Sequence, residues 1–468
     1  SCYVGMIKYI YGADHSSSSN VPDYSYTWYL YRKRNYSISF EKNRIRKEDK
    51  NMRKIIAYKN AKLRHREGLY DIVTEGEKII GIAKDSAGKY SDAEIVDLGG
   101  RLVCEPYVES HIHLDYVYTA DIPAEETASG TLFEAIEKWS GSKHQLSKED
   151  IKKRAYKGIL TEMRNGVQYI RTHVDVTDPE FTAFQAMLEV KEEVKDKVDI
   201  QLIAFPQEGM YAYRDGDKLV EQALKMGADV VGGIPHYEFT REDGVKSVKK
   251  AIELACRYDK LVDIHCDETD DDQSRFVEMI AAEAYFSGLK DRGTASHTCA
   301  MGSYNNAYAF KLMSKLAQSG INCISCPTEN TYLQGRYDNY PKRRGLTRID
   351  ELTAAGVNVS LGQDSISDPW YPLGNGNLMN QLDFAIHISH LMSVEQIWNA
   401  LDYITVNGAK TLHLSDYGIR EGSSASFIVI DAPNEFEAVR ERAGIIRSVR
   451  KGRTIFEKKP AVIMTDIF

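Results

Sequence analysis

Between about residue 105 and residue 365 the chain repeats one pattern: a short apolar run, then a residue able to bind a metal or move a proton, then a helical stretch. The runs end at His111/His113, His173/Asp175, Gln207, His236, His265/Glu268, His297, Cys326/Asn330 and Asp364. Eight strand-helix units predict a parallel sheet with helical crossovers, and their number fits a closed (β/α)8 barrel of the TIM type, an extended open sheet being the alternative. The segment from Ser147 shows how the helices are read. Ser147 with Asp150 makes a capping start, Ile151, Ala155, Ile159 and Met163 recur at helical spacing, and Asn165-Gly166 stops the run before the strand VQYIRTHVD.

In such a barrel the C-terminal strand ends carry the site, and here they hold residues that chemistry needs. Side chains alternate along a strand, so His111 and His113 point the same way while Ile112 points opposite. Two imidazoles then converge, as a divalent ion requires. His265 in LVDIHCDET and Asp364 in VNVSLGQDS add a third imidazole and a carboxylate from the fifth and eighth strands. Together the four make an open metal site with a position left for water. His297 in TASHT, on the sixth strand, is free to act on that water or on a substrate. Taken singly, each residue is explained by a buried histidine or a turn-capping aspartate; taken together at matching strand ends, they are explained by a metal.

The two chain ends read differently. From Met52 to about Leu102, short β-like pieces separated by Gly, Asp and Lys turns predict a small antiparallel sheet, and SASFIVIDA and IRSVRKGRTIFEKK repeat the pattern at the far end. Residues 52–104 and 415–468 are therefore expected to form one small β-sandwich domain, with the barrel of residues 105–414 inserted between them. Residues 1–51 show no sustained period and end in a charge run, and they read as a poorly ordered or non-native extension. Lys+Arg 60 against Asp+Glu 68, a net charge of -8, argues against nucleic acid as a partner. Seven cysteines, an odd number, do not make a disulfide framework and fit a reducing cytoplasm. No apolar run approaches the roughly 18 residues of a spanning helix, and no signal-peptide pattern opens the chain, so no membrane is expected.

The motifs ESHIHLD, SGTLFEAIEKW, RTHVDV, AFPQEG, PHYEFTRE, HCDETDDDQSRF, SHT, LQGRYDNYPKRRG and DPWYPLG, in this order, make the chain resemble the cytosine deaminase branch of the amidohydrolase superfamily from about Met52 onward. The resemblance implies one Fe(II) or Zn(II) per subunit on His111, His113, His265 and Asp364. It also implies Glu268 as a proton shuttle to a ring nitrogen, His297 as an acid/base and electrostatic aid, Gln207 as an anchor for the substrate's carbonyl edge, and Leu132 and Trp370 as pocket walls. Binuclear relatives use a carboxylated lysine at the fourth strand, and DVVGGIPHYE has none. CISCP, Cys323 to Cys326, lacks the HxE partner of the other zinc deaminase design. Its thiols are expected to be reduced and to face opposite sides.

Cytosine deaminases of this branch read GHDD where this chain reads GQDS, Gly362 to Ser365. A carboxylate that in the family reaches the substrate's amidine side is thus replaced by Ser365, which removes a charge-assisted acceptor and opens space beside the ring. The implied reaction is hydrolytic deamination of a small free heterocyclic amidine. Cytosine comes first on overall resemblance, then creatinine giving N-methylhydantoin, then isoguanine or a methylated pyrimidine; a hydroxyl at Ser365 also suits cytosine through a neutral hydrogen bond. The missing lysine disfavours cyclic amide hydrolysis of the hydantoinase kind, and the complete ligand set disfavours a non-catalytic scaffold. Barrels of this family commonly assemble, so a homo-oligomer is expected.

Overall fold

The computed structural model describes residues 54–122, 129–462 and 464, and the extension read at residues 1–51 lies outside the described residues. The chain begins with β1 (Ile55–Leu63), β2 (Tyr70–Glu75), β3 (Lys78–Ala83), β4 (Glu94–Asp97) and β5 (Leu102–Cys104). Eight strands follow: β6 (Tyr107–Ile112), β7 (Val167–Asp175), β8 (Asp199–Phe205), β9 (Val230–Val231), β10 (Leu261–Cys266), β11 (Gly293–His297), β12 (Asn322–Ser325) and β13 (Asn358–Leu361). The last three are β14 (Phe427–Ile430), β15 (Ile445–Arg450) and β16 (Arg453–Glu457).

The strands of both ends form one sheet, and it is mixed rather than purely antiparallel. β2 and β3 make an antiparallel hairpin beside β1; the chain then crosses to the other edge of β1, where β4 and β5 run parallel to it. β14 pairs antiparallel with β5 and leads into β15 and β16. Tyr58, Ile72, Ile79, Val103, Phe427 and Val429 meet in one buried cluster, so early and late strands share a core. Each Val, Ile or Phe buried there contributes about 1.5–3 kcal/mol.

β6 to β13 are parallel and adjacent in chain order, with helices between them. The helix Lys148–Arg164 starts where its capping pattern lies: the Asp150 N–H donates to Ser147 Oγ at 3.2 Å. It buries Ile151, Ala155, Ile159 and Met163, and the chain leaves it through Gly166 at φ 95°. β7 is buried along its whole length, as expected of a strand with helices outside and barrel side chains inside.

The barrel is closed by backbone hydrogen bonds at the ends of β6 and β13. The Asp364 N–H donates to the His111 carbonyl at 2.8 Å, and the His113 N–H donates to the Asp364 carbonyl at 3.1 Å. Gly362 permits this approach, because a Cβ there would stand 2.6 Å from His111 Cβ. Among the described residues no helix is long and apolar enough to cross a membrane.

Candidate metal centre and active site

His111 on β6, His113 just beyond it, His265 on β10 and Asp364 beyond β13 are buried, and their ligand atoms all lie within 4.8 Å of one another. His113 Nε2 faces His265 Nε2 at 3.0 Å, and Asp364 Oδ1 lies 3.4 Å from His111 Nε2 and 3.5 Å from His113 Nε2. Donors held about 2.0–2.1 Å from one zinc-sized ion in a tetrahedron stand roughly 3.3 Å apart, so the spacing suits a shared cation.

Protonation supports the same fit. The Ser296 hydroxyl donates its one proton to Asp263 Oδ1 at 2.6 Å, so at 3.0 Å from His111 Nδ1 it can only accept. The His111 proton therefore sits on Nδ1, and the Nε2 lone pair, which has no hydrogen-bond partner, looks toward the Asp364 carboxylate. Two electron-rich atoms facing each other in a buried pocket are reconciled by a cation between them. Burial pushes His113 down to about 3 and holds His265 well below the ordinary histidine range, leaving both imidazoles in the metal-binding neutral form. Asp364 is held below the usual carboxylate range although burial opposes its ionisation, so it too presents the form that binds a cation.

Local backbone turns aim these groups. His297 at φ 69°, Asp364 at φ 67° and Asp267 at φ 52° adopt the left-handed conformation, which costs roughly 1–2 kcal/mol per non-glycine residue. At Asp267 the reason is visible. Its carboxylate accepts from the N–H groups of Phe276 and Val277, both at 2.9 Å, and from Ser274 Oγ at 2.7 Å, which pins the loop after β10 to the helix Phe276–Ser287.

Glu268 then reaches the metal cluster from the side. Its Oε1 and Asp364 Oδ2 each lie 3.6 Å from His297 Nδ1. Asn330 accepts from the Cys326 N–H through Oδ1, so its Nδ2 must donate: to His297 Nδ1 at 3.0 Å and to Glu268 Oε1 at 3.4 Å. That bond leaves the His297 ring proton on Nε2, which has no partner. Burial, reinforced by the charge of Asp364, pushes Glu268 well above the usual carboxylate range. A neutral carboxyl with a proton to give thus stands beside the ligand cluster.

The pocket residues read from the sequence also gather here. Leu132 and Trp370 share one buried cluster with Tyr116, Trp139, Phe205 and Ile234. Tyr116 stacks between Trp370 and His113, with centroids 4.6 Å apart on each side, and Phe205 stacks on His265 at 4.1 Å. Gln207, two residues beyond Phe205, is buried with Oε1 unpartnered. Ser365 is buried too. Beside it lie Asp368 and Glu329, neither of which sequence reasoning had singled out; Glu268, Glu329 and Asp364 offer oxygens within 4.8 Å of one another. Asn330, read from the sequence only as the end of the seventh apolar run, gains its role here, as do Ser296 and Asp263, which the sequence reading did not single out. Ser296 and Asp263 lie within strands and Asn330 in a seven-residue helix of about two turns, where no periodicity marks their roles. Cys323 is buried in β12, whereas Cys326 groups with His297 and Asp364; both thiols are free.

Residues 94–456 match the model of the amidohydrolase family. The chain belongs to that family. This amidohydrolase is a hydrolase of carbon-nitrogen bonds with a divalent-metal site. It is similar to the N-isopropylammelide isopropyl amidohydrolase of Pseudomonas sp. (strain ADP), 28% identical over 86% of this chain and 98% of the relative. It is 27% identical to the pterin deaminase of Rhizobium rhizogenes over 78% of this chain and 83% of that protein. The solved structure of 5-methylcytosine deaminase from Klebsiella pneumoniae liganded with 5-fluorocytosine superposes with a TM-score of 0.85 at 49% identity, covering 88% of this chain and 99% of that one.

Proposed function

We propose that this amidohydrolase deaminates a free cytosine-type ring, cytosine and above all 5-methylcytosine, replacing the amino group by oxygen and releasing ammonia. The observation that carries this reading is the convergence of Glu268 and His297 on the cluster of His111, His113, His265 and Asp364. The 49%-identical 5-methylcytosine deaminase supports the choice of ring. The small Ser365 side chain supports the methyl group, because a hydroxymethyl leaves room beside the ring that a carboxylate would occupy.

His111, His113, His265 and Asp364 would hold one Fe(II) or Zn(II) ion. Among the described residues the other groupings of possible ligands, His111 with His173 and Asp263, His297 with Cys326 and Asp364, and Glu268 with Glu329 and Asp364, each share a residue with the first and add no independent ligand set. Such an ion supplies Lewis acidity and lowers the pKa of water from about 15.7 toward about 7.

The protein's own groups do the rest. Gln207 offers its unpartnered Oε1 to a ring N–H and its amide nitrogen to the neighbouring carbonyl, which fixes the ring's edge. Glu268, neutral because buried beside Asp364, donates its proton to the ring nitrogen next to the amino-bearing carbon; that carbon is a poor electrophile until the nitrogen is protonated. Once ionised, Glu268 can collect a proton from the attacking water and pass it to the departing amine. His297, held by Asn330, keeps Nε2–H as a donor toward the pocket. Trp370, Leu132, Tyr116 and Phe205 wall the site and exclude bulk solvent.

Ammonia release from cytosine, 5-methylcytosine and creatinine tests the reading. Turnover of the two pyrimidines, lost on chelation and restored by Fe(II) or Zn(II), is expected. A metal-replete enzyme that frees ammonia from creatinine alone, or from none of the three, overturns it.

A further inference from the structure

Glu329 lies in the first turn of the short helix Pro327–Leu333 that follows β12. An acidic residue in a helix's first turn ordinarily serves the helix dipole from the surface. Glu329 does not fit that pattern, because it is only 3% exposed and its Oε2 has no hydrogen-bond partner. Leaving a buried polar atom unpaired costs about 1–3 kcal/mol, so an unpaired oxygen beside the ligand cluster marks a place for a ligand's donor.

Its position says which donor. An oxygen of Glu329 lies within 4.8 Å of oxygens of both Glu268 and Asp364. Asp364 marks the metal side, where the reacting carbon must sit, and Glu268 serves the ring nitrogen bonded to that carbon. The third carboxyl therefore meets the remaining nitrogen on the same carbon, the amino group that leaves. Ser365 and Asp368 flank it; Asp368 spends Oδ1 on the N–H groups of Trp370 and Tyr371, at 3.0 and 3.1 Å. Neither needs to reach the amine if Glu329 does.

We propose that Glu329 grips the substrate's exocyclic amino group, accepting its N–H through the carboxyl oxygen that is unpartnered in this structure. The role rests on the deaminase reading above and sharpens its specificity. It does not depend on whether the carboxyl is ionised, since either form keeps an acceptor oxygen. The chain thus places its amine-binding acid on the helix after β12 and only a hydroxyl on the residue after Asp364. The space alongside Ser365 stays open for a substituent on the neighbouring ring carbon, and the substrate class is a 5-substituted aminopyrimidine.

The test moves the carboxylate. Steady-state ammonia release on cytosine and 5-methylcytosine is compared for wild type, Glu329→Leu, Ser365→Asp and the double variant, each with metal content and melting temperature recorded to establish that it is folded and loaded. Glu329→Leu, which removes both oxygens, is expected to lower kcat by about 100-fold on both rings, as loss of one preorganised transition-state contact does, with KM changed far less. Adding Ser365→Asp to it is expected to restore at least about tenfold on cytosine and nothing on 5-methylcytosine, a pattern a structural role could not produce. Wild-type activity retained in Glu329→Leu overturns the role, as does a double variant no better than the single one on cytosine. A wild-type enzyme inert on both rings overturns the deaminase reading itself, and that outcome is distinct from the other two.

Discussion

The backbone N–H of Asp364 donates to the carbonyl of His111 over 2.8 Å, so the hydrogen bond that closes the barrel also sets two candidate metal ligands side by side. Barrel closure and ligand spacing are one geometric fact. Gly362 stands behind both, since a methyl group there would meet His111 Cβ at 2.6 Å and its carbonyl oxygen at 2.8 Å. Gly362→Ala should cost about 1–3 kcal/mol of stability through overpacking. It should also lower metal content, read by elemental analysis after equal metal loading; full occupancy in this variant would break the link between closure and ligation.

Ser296 orients His111 by accepting from Nδ1 while donating to Asp263. Ser296→Ala should weaken metal affinity by about 10–100-fold with little change in melting temperature, measured by competition with a chromogenic chelator. Asp263 also neutralises Arg171, a fully buried guanidinium 3.1 Å away. Asp263→Asn leaves that charge unpaired and should destabilise the fold as well, by about 3–5 kcal/mol. Equal stability losses in the two variants would contradict this division of labour.

Glu268→Gln keeps the shape and removes the proton. The expected loss in kcat is about 10²–10⁴-fold, with metal content unchanged. A glutamine variant of near-normal turnover would assign the proton transfers to another group, with His297 the nearest.

Glu162, on the helix Lys148–Arg164, is fully buried with neither carboxyl oxygen hydrogen-bonded. Burial, and then the neighbouring Glu109, push it well above the usual range. The native state therefore holds this proton where an unfolded chain, titrating near about 4.3, has released it. Its contribution to stability is complete below that pH and is lost as pH rises toward the folded value, by at most about 1.4 kcal/mol per pH unit. Thermal midpoints of the metal-loaded protein from pH 5 to 8 should fall less steeply in Glu162→Gln than in wild type, and parallel curves would refute the assignment.

The order of strand and helix was legible because both periods are local. Ile151, Ala155, Ile159 and Met163 form one stripe whatever the rest of the chain does, and Ser147 caps its own helix. The small domain was less legible: turn residues announce strands, but not the crossing that puts β4 and β5 parallel to β1. The same divide runs through the site. His111, His113, His265, Asp364, Glu268 and His297 lie at or just beyond strand ends, where alternation and barrel architecture together predict convergence.

Glu329, Ser296 and Asp263 had no such signal, and Asn330 was marked only as a run end without a role, since each acts through a partner dozens of residues or more away in the chain. The residue order alone settles which chemical groups arrive at the barrel mouth, because strand alternation and strand-end position are properties of neighbours along the chain. Which of those groups share a proton, face a lone pair or stand unpartnered was decided only when β13 closed on β6, since hydrogen bonding and desolvation depend on distances across the barrel that no local pattern encodes.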